Sequence, residues 1–184
     1  MANEILIAHF DDEPSTVEWL PMALYDYFID FLHPNVIPED EVLEQRNDYR
    51  KGGRANGGGY RLEFPVILNY RKVKLIYVVV PDQEGFLEFA RREQPTIVLL
   101  DLGQGQQDGT IKMAGTAILE MIVQEEIITS DRVIIHTAYP ETWRRIGPAA
   151  QHCLLFPKPA DGAHMVEHLA KMIDQVLANE SHVH

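Results

Sequence analysis

Five apolar stretches, each followed at once by polar or turn-forming residues, constrain the fold of this chain more than any other feature. The predicted strands cover residues 5–8, 73–80, 96–102, 133–136 and 153–156. A continuous apolar run of this length is typical of a strand that is buried on both faces, as in a parallel sheet. Helical periodicity alternates with these strands, so the sequence predicts an α/β fold with a doubly wound, five-stranded parallel sheet.

Apolar residues at i, i+3 and i+4 spacing predict the helices. The first helix lies around residues 19–32, where Pro21 requires a late start or a kink. Further helices are centred on residues 86–90, 114–122 and 165–176, and Trp143 and Ile146 leave room for a short one. A chain of 184 residues suits one sizeable core, so residues 1–184 are predicted to form a single domain.

A segment from about residue 34 to 72 interrupts the alternation of strands and helices. Between Arg46 and Lys74 the chain carries eight of its 16 basic residues and only two acidic ones. The part that begins at Tyr60 is rich in β-branched and aromatic residues, and residues 69–72 can form a turn. We expect an inserted loop or hairpin. Its positive charge either attracts the acidic surface of a partner protein or lets the segment fold back on the acidic body of the protein itself.

Polar residues follow the predicted strands at the points where these strands end. Asp11 and Asp12 follow the first strand, Asp101 ends the third, Thr137 follows the fourth and Lys158 follows the fifth. Ligands of such sheets bind at the carboxyl ends of the strands, so we expect these side chains to converge. Three carboxylates at one point need a cation, and oxygen ligands favour a hard ion such as Mg²⁺. An aspartate in such a site can act as a nucleophile toward phosphorus.

These segments resemble the response-regulator receiver domain of two-component signalling. Phe10-Asp11-Asp12-Glu13-Pro14 is similar to the acidic pair of that family, and Leu99-Leu100-Asp101-Leu102 followed by Asp108-Gly109 is similar to its phosphoacceptor segment. Thr137-Ala138 and Lys158-Pro159 are similar to its switch threonine and its lysine. The resemblance covers most of the chain outside residues 34–72, and it implies a flavodoxin-like receiver fold.

The resemblance also implies a role for each residue. Asp101 accepts the phosphoryl group from a histidine kinase or phosphotransfer protein. Asp12, Asp101 and the carbonyl of Gly103 hold Mg²⁺, and Asp11 acts through water. Lys158 and Thr137 contact the phosphoryl oxygens, and the Lys158–Pro159 bond is cis. The protein would then be a signalling switch that acts on a downstream protein, with no enzymatic activity beyond its own phosphoryl transfer and dephosphorylation; a homodimer is left open.

Two other functions remain open. Ala8-His9-Phe10-Asp11-Asp12 also resembles the His-Pro-Asp-Asp motif of zinc-dependent N-acetylglucosamine deacetylases. In that reading His9 and Asp12 would bind zinc and Asp11 would be the general base, but Phe10 replaces the proline of the motif and no third ligand motif follows. The other alternative is a receiver-like fold that serves as a binding module without phosphorylation.

Composition restricts the setting in which the chain works. A net charge of −12 argues against nucleic-acid binding by the chain as a whole. The single cysteine, Cys153, excludes an intrachain disulfide and fits a cytoplasmic location. The apolar runs are too short to cross a bilayer, and the acidic beginning does not resemble a signal peptide, so no membrane insertion is expected.

Overall fold

The strands form where β-branched and large apolar residues follow one another without a break. In a computed structural model, which describes residues 3–12, 19–32, 59–68, 71–105, 111–138, 150–158 and 162–181, one sheet contains six strands. They are β1 (Asn3–Phe10), β2 (Tyr60–Leu68), β3 (Arg71–Val80), β4 (Ile97–Leu100), β7 (Val133–Thr137) and β8 (Leu154–Pro157). The short strands β5 (Gln104–Gly105) and β6 (Ile111–Lys112) form a separate antiparallel pair.

The strand order of the main sheet is β2-β3-β1-β4-β7-β8. The five strands β3, β1, β4, β7 and β8 are each parallel to their neighbours in this order, whereas β2 is antiparallel to β3. The described part of the chain is therefore α/β with a mostly parallel sheet, as the sequence predicts. The arrangement is compatible with a flavodoxin-like fold.

The predicted number of five strands, all parallel, is wrong. The sixth strand comes from the inserted segment, because Tyr60–Leu68 pairs with β3 along nearly its whole length, from Tyr60 opposite Val79 to Leu68 opposite Arg71. Pro65 lies within this strand, and a proline is tolerated there because β2 is at the edge of the six-stranded sheet. The predicted hairpin is thus an extension of the sheet.

Four helices cover the sheet within the described residues: α1 (Trp19–Leu32), α2 (Gln83–Glu93), α3 (Ala114–Gln124) and α4 (Gly162–Ser181). A short 3₁₀ turn at Ser130–Arg132 precedes β7. Pro21 lies in the first turn of α1, where the backbone N–H groups have no partner within the helix, so it does not interrupt the hydrogen bonding. Asp82 caps α2 by accepting a hydrogen bond from the Gly85 N–H at 2.6 Å.

The core has two layers, one on each face of the sheet. In the first layer Ile7, Leu99 and Ile134 pack with residues of α1 and α4, including Leu24 and Leu169. In the second layer the alternate strand residues, such as Phe10 and Leu100, pack with residues of α2 and α3. Burial on both faces explains why the central strands are continuously apolar.

Several predictions lie outside the described residues. They are the short helix around Trp143 and Ile146, the cis Lys158–Pro159 bond, the Asp108-Gly109 pair and most of the inserted segment. Within the described ranges, no helix combines the length and the apolar composition that crossing a bilayer requires.

Candidate functional site

The site lies at the carboxyl ends of β1 and β4, two neighbouring strands from which the chain continues toward opposite sides of the sheet. β1 pairs with β3 on one edge and with β4 on the other, so loops depart in opposite directions at the ends of β1 and β4. Asp11 follows β1 directly and Asp101 follows β4 directly. The Asp101 N–H donates a hydrogen bond to the Phe10 carbonyl at 2.9 Å, which ties the two strand ends together.

Three carboxylates meet at these strand ends. One carboxylate oxygen each of Asp11, Asp12 and Asp101 lies within 4.8 Å of the other two. Asp11 and Asp101 are buried, with 1% and 7% of their surfaces exposed, and Asp12 is half-buried. Buried like charges at this separation repel one another unless a cation compensates them. The triad can therefore hold a metal ion, and its oxygen-only donor set suits a hard divalent ion.

Lys158 supplies a compensating charge from the far edge of the sheet. Its Nζ donates to Asp11 Oδ2 and to Asp101 Oδ2, both at 2.7 Å. Burial acts to lower the pKa of Lys158. The charge of Asp11 and the hydrogen bonds to Asp101 and Asp11 outweigh this effect, so the pKa is raised above its ordinary value. Lys158 is thus a fixed positive charge between two buried carboxylates.

Backbone contacts hold the remaining predicted residues beside this ion pair. Thr137 is fully buried at the end of β7, and its carbonyl accepts a hydrogen bond from the Lys158 N–H at 2.7 Å. The Gly103 N–H donates to Asp101 Oδ1 at 3.2 Å. The structure therefore brings Asp11, Asp12 and Asp101 together with Lys158, and it places Thr137 and Gly103 next to them. Those are the six residues that the sequence predicts for the site.

Gly115 is a site residue that the sequence did not indicate. It lies in the first turn of α3, and its N–H donates to the Leu102 carbonyl at 3.3 Å. A Cβ atom at this position would lie 1.9 Å from the carbonyl oxygen of Asp101 and 2.8 Å from the Leu102 Cα. Only glycine lets the start of α3 approach the backbone of Asp101 this closely.

Two buried histidines form a pair that the sequence did not indicate. His9 and His136 lie on β1 and β7, and their ring centroids are 6.4 Å apart. Burial, the charge of His136 and the charge of Lys158 lower the pKa of His9 well below its ordinary value. Burial and then Lys158 lower the pKa of His136 to about 4, against an opposing effect of Asp101. Both imidazoles are therefore neutral near pH 7. The sequence does not indicate the pair, because a histidine within an apolar strand shows no pattern that reveals its neighbour in another strand.

The arrangement around His9 does not favour the deacetylase alternative. His9 Nδ1 is hydrogen-bonded to the Tyr77 hydroxyl at 2.7 Å, and the side chain is fully buried. Within the described part of the chain, the group of potential metal ligands contains Asp12 with Asp11 and Asp101 and does not include His9. A zinc ion shared by His9 and Asp12 would require a different arrangement of these side chains.

Comparisons with known proteins do not assign the chain to a family. No family model matches the sequence, and no curated protein matches it significantly. Any functional conclusion therefore depends on the residues of the site.

Proposed function

We propose that this protein is a phosphorylation-dependent signalling switch with a flavodoxin-like receiver fold. Its phosphoacceptor is Asp101, and a histidine kinase or phosphotransfer protein supplies the phosphoryl group. The observation that carries the proposal is the ion pair of Lys158 with Asp11 and Asp101, at 2.7 Å to each, with Asp12 completing a carboxylate triad. An anionic nucleophile, a cation-holding pair and a lysine are the parts that phosphoryl transfer to a carboxylate needs.

The reaction forms one bond and breaks one bond. A carboxylate oxygen of Asp101 attacks phosphorus, and the bond from phosphorus to the donor imidazole or acetate breaks in line with it. The donor leaves with the electron pair of that bond, and the leaving imidazole takes a proton. Mg²⁺ held by Asp12, Asp101 and the Gly103 carbonyl, with Asp11 acting through water, would neutralise charge on the phosphoryl oxygens. The other charged groups of the site, including Lys158, are side chains of the protein.

Lys158 and Thr137 complete the switch in this proposal. At rest Lys158 compensates Asp11 and Asp101. Once Asp101 carries a phosphoryl group, Lys158 donates to its oxygens and the Thr137 hydroxyl donates to another of them. A modification shifts a two-state equilibrium only by its different interactions with the two states, and these two donors supply such a difference.

The partners and the location of the protein follow from this assignment. The phosphorylated protein acts on a downstream protein in the cytoplasm, and the inserted segment contributes to that contact. Two basic side chains of the positively charged stretch are already in ion pairs: Lys74 and Arg61 each contact Glu63 at 2.6 Å, and Lys74 also contacts Glu4 at 3.7 Å. A partner contact by the insertion therefore depends on other basic residues of the stretch.

The test is to incubate the purified protein with acetyl phosphate and Mg²⁺ and to measure its intact mass. We expect the wild-type protein to gain one phosphoryl group that hydroxylamine removes, because an aspartyl phosphate is a reactive acyl phosphate. Asp101→Asn should gain none. Asp131→Asn, at an exposed aspartate away from the site, is the matched control and should be labelled like wild type. Equal labelling of Asp101→Asn and wild type would refute the assignment of Asp101, and labelling that persists in excess chelator would refute the need for Mg²⁺.

A further inference from the structure

Four ring side chains form a continuous row beside the carboxylate site. Tyr77 contacts His9 with ring centroids 6.0 Å apart, and His9 contacts His136 at 6.4 Å. His136 in turn contacts Trp19 edge to face at 6.5 Å. The first three rings are buried, whereas Trp19 is the first residue of α1 and is 36% exposed. This ring row therefore leads from the interior of the sheet to the protein surface.

The ring row is connected to the site at both histidines. His9 precedes Asp11 by two residues on the same strand, and His136 directly precedes Thr137. β1 and β7 flank β4, so the two imidazoles meet across the strand that ends at Asp101. The charge of Lys158 acts on both imidazoles. Any movement of Lys158 or Thr137 consequently changes the surroundings of the row.

The two histidines also differ from the apolar core around them in their hydrogen bonding. Among the residues that the structure describes, His9 Nε2 and His136 Nδ1 are buried and have no hydrogen-bond partner. A buried nitrogen without a partner is unfavourable, so a ring rotation that gives it one is stabilising. The surrounding leucine and isoleucine side chains have no polar atom and cannot gain a hydrogen bond by rotating. Both imidazoles can therefore gain a hydrogen bond when the site rearranges.

We propose that the ring row transmits the state of the carboxylate site to the first turn of α1, with His136 as the moving part and Trp19 as the read-out. The inference rests on the proposed function. When Lys158 leaves Asp11 and Asp101 for a new anion, and Thr137 follows, the His136 ring reorients and its edge-to-face contact with Trp19 changes. Trp19 and the nearby Met22 are exposed large apolar side chains of α1, so the surface of this turn changes with them.

Trp19 itself can report on this coupling. The chain has two tryptophans, so Trp143→Phe leaves Trp19 as the only one. In that background we would record the emission maximum and the acrylamide quenching of Trp19 in three conditions: the protein alone, with saturating Mg²⁺, and with Mg²⁺ and acetyl phosphate. Intact mass is measured on the same samples. We expect a shift of the emission maximum that follows the gain in phosphoryl mass.

Substitutions decide whether the signal passes through His136. His136→Leu should be phosphorylated but should lose the Trp19 shift; if this variant does not fold, His136→Gln takes its place. His168→Leu is the matched control, because His168 also has a ring contact, with Phe156 at 5.4 Å, but lies outside the row. It should keep the full shift.

The outcomes separate the two proposals. Phosphorylation without any change at Trp19, or an equal shift in the His136 variant, overturns the ring-row proposal and leaves the switch function intact. Absence of any mass gain overturns the switch function. The ring-row proposal, which rests on that function, is then overturned with it.

Discussion

Gly115→Ala places a single methyl group where the start of α3 touches the backbone of Asp101. The new Cβ would lie 1.9 Å from the Asp101 carbonyl oxygen, whereas real Cβ contacts essentially never fall below 3.0 Å. The atoms it meets belong to the backbone and cannot rotate away. Either α3 or the segment that carries Asp101 must therefore move by about 1 Å, the difference between these distances.

Gly115→Ala should reduce the rate of phosphorylation much more than it reduces the free energy of unfolding. Overpacking a core costs about 1–3 kcal/mol, and alanine in place of a helical glycine returns about 1 kcal/mol. The net loss of stability is thus modest. A displacement of about 1 Å at a reacting group can cost about 100-fold in rate. We expect the rate of phosphorylation to fall by about two orders of magnitude in a protein that remains folded.

The assay combines the time course of phosphoryl mass gain, the affinity for Mg²⁺ and urea unfolding. Gly85→Ala is the matched control, since Gly85 also lies in the first turn of a helix, but its Cβ would meet the Asp82 side chain, which can move. That variant should be labelled at the wild-type rate. A wild-type rate and wild-type Mg²⁺ affinity in Gly115→Ala would refute the reasoning, because α3 could then shift without disturbing Asp101.

Three further predictions concern buried charged and titratable groups. Lys158→Met removes the ammonium group that contacts Asp11 and Asp101, so the free energy of unfolding in urea should fall by about 3–5 kcal/mol without metal. Mg²⁺ should restore part of it, and an unchanged urea midpoint would contradict the role of the ion pair. His136 has a folded-state pKa of about 4 and an unfolded one near 6.5, so below pH 6.5 the unfolded state binds more protons and stability falls as the pH is lowered toward 4. Its share between pH 7 and pH 5 is about 2 kcal/mol, and His136→Leu should flatten the measured pH dependence by that amount. Cys153 is buried and its pKa is raised to about 12, by burial and then by Asp131, so a disulfide reagent at pH 8 should modify it only as fast as the protein unfolds; rapid modification of the folded protein would show that the thiol is accessible.

The positions of Asp11, Asp101, Thr137 and Lys158 could be predicted because each follows a short apolar run. A strand buried on both faces has a composition that periodicity detects, and its end is marked by the first polar residue. Parallel strands place these ends at one edge of the sheet, so the chain order of the runs was enough to predict that the polar side chains converge.

Features that depend on distances between elements could not be predicted in this way. The strand-forming residues of β2 permit either a projecting hairpin or an extension of the sheet, and the sequence alone does not decide between the two. Gly115 differs from other glycines only by the approach of the Asp101 carbonyl, which is a tertiary contact. The pairing of His9 with His136 spans two strands that are not neighbours, and no local pattern records it.

The antiparallel strand β2 also bears on self-association. Without it, β3 would be the sheet edge, and residues 73–80 of β3 combine seven apolar, mostly β-branched or aromatic residues with the single charge of Lys74. Exposed segments of this composition add copies of themselves and seed fibrils. β2 covers this strand, and its own outer edge is a poorer template because Pro65 has no N–H to offer. We therefore expect β2 to limit self-association, and a shortened protein that lacks Tyr60–Leu68 to aggregate even if its carboxylate site is intact.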